Sequence, residues 1–261
     1  MHSETYGYIA FGDDDLYHRG ALLSALRLLH FTAHARITIA TDRPQFYAAY
    51  PVETLPLSSG QMAEMSFGNR YVFGIKAGGL IELLKRTERL LFMDTDIYPV
   101  GDASKGFARI SPSRSIMRLC EGVPAGYEIE TKGLRLGDYR ITGREVMWNS
   151  GIVGVHRANL PALASAYELI GSMLGVVSSH TKEQFAVGLA LSQGGRKIAP
   201  HRLPLRHYNT AGKKAFARGQ IARFFRDNGD LPLDQQIERS ARLRLWRGPL
   251  DLWAQRARWR F

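Results

Sequence analysis

Residues Tyr6 to Ala40, YGYIAFGDDDLYHRGALLSALRLLHFTAHARITIA, decide the fold. Tyr6 to Phe11 is a short apolar, aromatic run with the character of a strand, and it stops at the polar turn Gly12-Asp13-Asp14-Asp15. From Leu16 to Leu29, leucines recur at 22, 23, 26 and 29, the spacing that gives a helix one buried face. Arg36 to Ala40 reads as a second strand, closed by Thr41-Asp42-Arg43-Pro44, a turn or helix-start signal. Strand, helix and strand within about 40 residues imply a right-handed parallel crossover, and hence an α/β sheet.

Working outward, Val52 to Leu57 is a candidate third strand, and Lys76 to Lys85 is helical with Leu80, Leu83 and Leu84 turned inward. Arg89-Leu90-Leu91-Phe92-Met93-Asp94-Thr95-Asp96 is an apolar strand that runs into two acids. The segment from Ser111 to Arg144 is rich in Gly, Arg and Ser with weak periodicity, and is expected to be loops and short excursions. Val146 to Val155 holds the small-residue turn Asn149-Ser150-Gly151 entering another buried strand, while Ala162 to Leu174, Glu183 to Leu191 and Ala215 to Phe225 are helical. No repeat or low-complexity linker interrupts the chain. One domain over 1–230 with a basic helical appendage over 231–261 is therefore the simplest organisation.

The composition is that of an ordinary folded protein: 261 residues, 45% hydrophobic and 23% charged, which excludes disordered, collagen-like and disulfide-framework classes. Cys120 is the lone cysteine, so an internal disulfide and a Cys-based zinc site are both ruled out, and a cytoplasmic setting is the default. The N-terminus lacks a basic segment followed by a long apolar one, and no stretch approaches the roughly 20 apolar residues that span a bilayer. The net charge of +11 is uneven. Residues 239–261 hold seven Arg against one acid, Asp251, together with Trp246, Trp253, Trp259 and Phe261. Arg interleaved with Trp and Leu suits an anionic membrane surface, and Pro249 is well placed to open a helix carrying Leu250, Trp253, Ala254, Ala257 and Phe261 on one face, with Leu252 and Trp259 opposite. Docking of that face on the protein's own core and binding of the arginines to nucleic-acid phosphates are the competing readings, the last without any recognisable motif.

Asp94 and Asp96 are the chemical centre. In open α/β sheets ligands bind beyond the carboxyl ends of strands, and two partly desolvated carboxylates so close together need a compensating cation. A hard divalent ion supplies it and bridges phosphate oxygens, which points to a diphosphate ligand. The bland alternative is that the two acids cap the next segment. Two enzyme classes fit the string. In haloacid-dehalogenase-like phosphatases Asp94 would be the nucleophile and Asp96 the general acid; however, Tyr98 stands where that family has a small Thr or Val, and no downstream acidic pair follows an apolar strand.

Read with its neighbours, Lys76-Ala77-Gly78-Gly79-Leu80-Ile81-Glu82-Leu83 leading into Asp94-Thr95-Asp96 resembles the nucleotide-sugar transferases of the glycosyltransferase-A fold, a Rossmann-like, mostly parallel mixed sheet flanked by helices. The nearest likeness is to family 8, which includes lipopolysaccharide galactosyl- and glucosyltransferases and glycogenin. Trp148-Asn149-Ser150-Gly151-Ile152-Val153, Glu183-Gln184 and Arg206-His207-Tyr208 follow in the family's order, and the resemblance covers residues 6–225.

The resemblance implies a metal-dependent hexosyltransferase of lipopolysaccharide type that moves a sugar from a UDP-sugar to a saccharide or glycolipid acceptor, with retention of configuration. It implies Mn²⁺ or Mg²⁺ on Asp94, Asp96 and His207, with Thr95 beside the donor. Ala10, Phe11 and Asp13 would cradle base and ribose, with Tyr17 nearby. Lys76 would approach donor phosphate or sugar, Asn149 and Ser150 would border the sugar, and Glu183 and Gln184 would lie beside its reacting carbon. Lys213 or Lys214 would reach the leaving diphosphate. Two departures stand out: Phe185 occupies the place of the family's third acid, and the Gly-x-x-Lys-Pro-Trp loop is represented only by Ala211 to Phe216. A non-enzymatic, basic polyanion-binding module is the third alternative. Location at the inner face of the membrane, peripherally, follows from the tail and the glycolipid acceptor together.

Overall fold

The structure, a computed structural model, describes residues 2–246 apart from the side chains of His2, Glu128 and Ile129. Its strands are β1 (His2–Ala10), β2 (Ile37–Thr41), β3 (Glu53–Pro56), β4 (Thr87–Met93), β5 (Ile97–Pro99), β6 (Arg114–Met117), β7 (Cys120–Gly122), β8 (Arg135–Leu136), β9 (Tyr139–Arg140), β10 (Met147–Trp148), β11 (Ile152–His156), β12 (Lys197–Pro200) and β13 (Leu205–His207). The helices are α1 (Asp15–Phe31), α2 (Ser59–Met65), α3 (Gly74–Leu84), α4 (Tyr127–Thr131), α5 (Leu160–Met173), α6 (Lys182–Ser192), α7 (Ala211–Asn228) and α8 (Leu233–Arg242).

The chain divides into two compact units. The first comprises residues 1–10, 36–94 and 104–203; the second comprises residues 11–35, 95–103 and 204 onward. Unit 1 carries a seven-stranded sheet in the order β12-β6-β11-β4-β1-β2-β3. β11 runs antiparallel to both of its neighbours and every other pairing is parallel. Helices α3, α5 and α6 pack in this unit, α3 against β4 and β1 and α6 against β12. This is an α/β fold with a mixed, mostly parallel sheet flanked by helices, compatible with a Rossmann-like arrangement.

The sheet's central strands β1 and β4 end in continuous apolar runs rather than alternation, because both faces are covered there. Leu90, Leu91, Phe92 and Met93 of β4 are all fully buried, as are Tyr8, Ile39 and Val153 on β1, β2 and β11. Leu80, Leu83 and Leu84 line the buried face of α3 as expected. The segment 111–144 departs from the expectation of loops, since Arg114–Met117 is a strand inside the main sheet, between β11 and β12. Four residues are too few to show a period, and Ile116 is buried only because Gly154 of β11 lets it approach. A Cβ built on Gly154 would lie 2.3 Å from Ile116 Cγ1.

Unit 2 is assembled around α1, which packs against α7, α8 and β5. β5 pairs antiparallel with β13, placing His207 opposite Ile97. The appendage expected from residue 231 begins as α8, whose residues Gln236 and Ser240 are buried. The tail helix expected beyond Pro249 lies outside the described residues. Among the described residues, no helix is long and apolar enough to cross a membrane.

Candidate functional site

Asp94 follows the last residue of β4, and its backbone N–H donates to the Gly151 carbonyl at 2.8 Å. This extends the β4–β11 register by one step and brings Asp94 beside the turn Asn149-Ser150-Gly151, which Asn149 closes by accepting the Gly151 N–H on its side-chain oxygen at 3.1 Å. Lys76, in the first turn of α3, reaches the same place. Its ammonium lies 2.9 and 3.1 Å from the two Asp94 carboxylate oxygens and donates to Ser150 Oγ at 3.1 Å. It also lies 5.4 Å from the centre of the buried Phe92 ring.

Glu183 completes the cluster from the first turn of α6, where a carboxylate complements the helix dipole. Ser150 Oγ donates to Glu183 Oε2 at 2.8 Å, and Lys76 Nζ lies 3.6 Å from that same oxygen. Glu183 is only 4% exposed, and burial pushes its carboxyl upward; Lys76 pulls it down, the nearby Asp94 adds to the rise, and Ser150 opposes it. The other oxygen, Oε1, is buried with no hydrogen-bond partner among the described residues. Tyr71 anchors the backbone here by accepting the Glu183 N–H at 3.0 Å and donating to the His180 carbonyl at 2.7 Å. Thus residues from α3, β4, the turn before β11 and α6 converge on one group of two carboxylates, one ammonium and one hydroxyl.

Comparison with known proteins adds no identity. No family model matches the chain. A search of the curated proteins also finds no match.

Gln184, the next residue on α6, turns the other way. Its amide nitrogen donates to Glu121 Oε2 at 2.8 Å, and Asn149 Nδ2 donates to Glu121 Oε1 at 2.8 Å. Glu121 therefore ties the two amide side chains together. Sequence reasoning missed it, because β7 pairs with β10 to bring it there and nothing in the irregular segment announces that ribbon. Tyr71 was missed as well, whereas Lys214 was one of the two lysines expected near the diphosphate. Tyr71 sits in an unpatterned loop, and only the α7 register distinguishes Lys214 from its neighbour.

The remaining expected residues lie in unit 2, except Ala10, which ends β1 and is buried. Asp96 Oδ1 lies 2.9 Å from His207 Nε2, and its Oδ2 lies 3.3 Å from Lys214 Nζ. Burial alone would raise the Asp96 carboxyl, but His207 and Lys214 outweigh it and hold it below the usual range. Tyr208 donates its hydroxyl to the Thr95 carbonyl at 3.1 Å, and its N–H goes to the Asp96 carbonyl at 3.2 Å. The turn Phe11 to Asp13 is held through Gly12, whose carbonyl lies 3.0 Å from Nε2 of the buried His18. Asp13 is exposed, and Tyr17 is 46% exposed beneath the Arg218 guanidinium, 5.6 Å from its ring centre. Lys213, the expected diphosphate contact, is exposed in the first turn of α7, while Lys214 is the lysine on Asp96.

Among the described residues, no group of three or more His, Cys, Asp or Glu side chains is arranged to hold a metal ion. The donor chemistry nevertheless fits a divalent cation at Asp96 and His207, a carboxylate and an imidazole in contact. Asp96 meets the ring at Nε2, and His207 Nδ1, on the other edge of the ring, is buried with no hydrogen-bond partner among the described residues. Both acids have both oxygens engaged, Asp94 by Lys76 and Asp96 by His207 and Lys214.

Proposed function

We propose that the chain is a glycosyltransferase of the A fold, resembling family 8, that transfers a hexose from a UDP-sugar to a hydroxyl of a saccharide or glycolipid with retention of configuration. The observation that carries this is the buried Glu183 clasped by Lys76 and Ser150 beside Asp94, at the carboxyl end of a central parallel strand. Strand ends of this kind are where open α/β sheets take their ligands. Lys76 is the cluster's positive charge for an anionic donor, and its two carboxylates call for a cation alongside a diphosphate.

Lys76 would meet the donor's phosphate or sugar, and its two carboxylate neighbours hold the ammonium in place for that contact. Ser150 and Lys76 fix Glu183 through Oε2 and leave Oε1 unsatisfied. Glu183 would lie beside the sugar's reacting carbon and favour an oxocarbenium-like state there. A bound Mn²⁺ or Mg²⁺, held by Asp96 and His207, would stabilise negative charge on the departing nucleoside diphosphate. Lys214, on the same helix end as Lys213, adds a cation to that side.

The reading is tested by calorimetric titration of the full chain with UDP in the presence of Mn²⁺. Wild type should bind, and Asp94→Asn with Asp96→Asn should weaken binding about a hundredfold or more, which is ~2.7 kcal/mol. Absence of UDP binding by wild type, or unchanged binding by the double variant, overturns it.

The charge of the C-terminus supports a peripheral position on an anionic membrane face, inside the cell, where a glycolipid acceptor would be met. At the edge of the described chain, Arg206 stacks 4.3 Å from the ring centre of the half-exposed Trp246, the pairing of guanidinium and indole that suits a lipid headgroup layer. Removing residues 247–261 should abolish co-sedimentation with anionic liposomes while leaving UDP binding intact; retained sedimentation would defeat this assignment.

A further inference from the structure

Unit 1 contains a second feature beside the charged cluster: a cavity of about 390 Å³ whose walls come from the loop after β7, from α4 and from the segment leading into α6. That volume falls in the range of small-ligand sites. Its polar groups are of one kind. Glu121 and Glu130 contribute carboxylates, Ser178, Ser179 and Thr181 hydroxyls, and Gln184 an amide. Among the described residues, no Lys, Arg or His lines it. The hydroxyls and the carboxylate of Glu130 are already oriented, since Ser178 donates to Glu130 at 2.8 Å and Thr181 Oγ1 lies 2.7 Å from the Tyr127 hydroxyl and 2.8 Å from Ser179 Oγ.

Carboxylates and hydroxyls without a cation form a wall of acceptors and weak donors. A neutral sugar, with several hydroxyls as donors, satisfies such a wall, whereas an anion meets two like charges with no counter-charge. The cavity also adjoins the chemistry in a defined way. Glu183 and Gln184 are consecutive on α6: Glu183 faces Lys76, Asp94 and Ser150, and Gln184 faces the cavity. Glu121 extends this link by holding Gln184 and Asn149 together.

We infer that this cavity is the acceptor subsite, that it takes a neutral pyranoside, and that Glu130 makes it reject anionic sugars; the inference rests on the transferase reading given above. Glu121 and Gln184 orient the acceptor hydroxyl, and the segment 121–130 sets acceptor choice through charge as well as shape.

The test uses saturation-transfer NMR on the full chain with two probes, methyl β-lactoside and methyl β-glucuronide, alongside the UDP titration. Wild type should transfer saturation to the lactoside and not to the glucuronide. Ala125→Phe, which fills the cavity from an exposed wall position, should lose the lactoside signal and keep UDP binding. Glu130→Lys should reverse the preference and give signal with the glucuronide. No lactoside signal with wild type, a signal that survives Ala125→Phe, or an unchanged preference in Glu130→Lys each overturns the subsite. Should Ala125→Phe fail to fold, the charge reversal at Glu130 still decides. UDP binding that fails while the lactoside behaviour holds would instead bring down the donor reading alone and leave the cavity a neutral-sugar site.

Discussion

Arg27 is a positive charge at 2% exposure, a position that has to be compensated by partners. Its guanidinium donates to the Pro99 carbonyl at 2.7 Å, to the Ser240 carbonyl at 2.6 Å and to the Leu243 carbonyl at 3.1 Å, and it lies over the Tyr98 and Phe31 rings. Burial brings it down to about 10, with Tyr98 opposing and Arg206 adding to the fall, so it stays charged at neutral pH. One planar fork thereby ties α1 to the β5 segment and to the end of α8, a geometry that an ammonium cannot span. Arg27→Met should destabilise by about 3 kcal/mol or more, because three carbonyls lose their donor at about 1–3 kcal/mol each where they stay buried. Arg27→Lys should recover only part of the loss. Urea unfolding midpoints measure both, and protease cleavage at the α8 end should accelerate in the Met variant.

Helix α1 owes its position to a small residue. Gly20 faces the backbone of the Asp-Thr-Asp turn, and a Cβ there would lie 2.5 Å from the Thr95 carbonyl oxygen, which Tyr208 also engages. Gly20→Ala improves helix propensity by about 1 kcal/mol yet forces the helix and the turn apart. The expected outcome is a protein that melts at or below the wild-type temperature and binds UDP with Mn²⁺ at least about tenfold more weakly, through displacement of Asp96. Unchanged binding would show that the turn accommodates the methyl group. In β11, Gly154→Val should act on stability alone: with Ile116 and Ile110 within 2.8 Å of the new Cβ, overpacking of about 1–3 kcal/mol should lower the melting temperature by several degrees.

Across the whole molecule, the response to acid combines a formal charge of +11 with particular groups that resist protonation. His201 is the clearest. Burial, with Arg118 and Arg109 close by, takes it from 6.5 down to about 4. Its Nδ1 accepts the Leu203 N–H at 2.9 Å, while Arg109 donates to its carbonyl and to that of Pro200. Because folded His201 holds its proton less tightly than an unfolded histidine, its stabilisation is complete above about 6.5 and is lost as pH falls through about 4. His201→Asn keeps an acceptor for Leu203 and cannot titrate. Its melting temperature should fall less steeply than that of wild type between those two pH values. Parallel curves would refute the assignment.

The patterns that carry long elements were legible in the chain. Leucine spacing in α1 and α3, the apolar run of β4 ending in two acids, and the strand–helix–strand opening all encode burial locally, and that is enough to determine an α/β sheet of mostly parallel strands. Asp94, Ser150, Lys76 and Glu183 could be singled out by residue type and order. Their meeting, and the split of the Asp-Thr-Asp motif between two compact units, could not. β6 is a four-residue strand buried between its neighbours, and β12 is a four-residue edge strand of exposed and half-buried residues, so no period marks either. Glu121 reaches Gln184 only through the β7–β10 ribbon, and consecutive Glu183 and Gln184 serve opposite surroundings because successive residues on a helix are turned by about 100°. Local sequence specifies which faces are buried; which polar groups then converge is decided by register and close approach among segments far apart in the chain, and only the tertiary structure contains that.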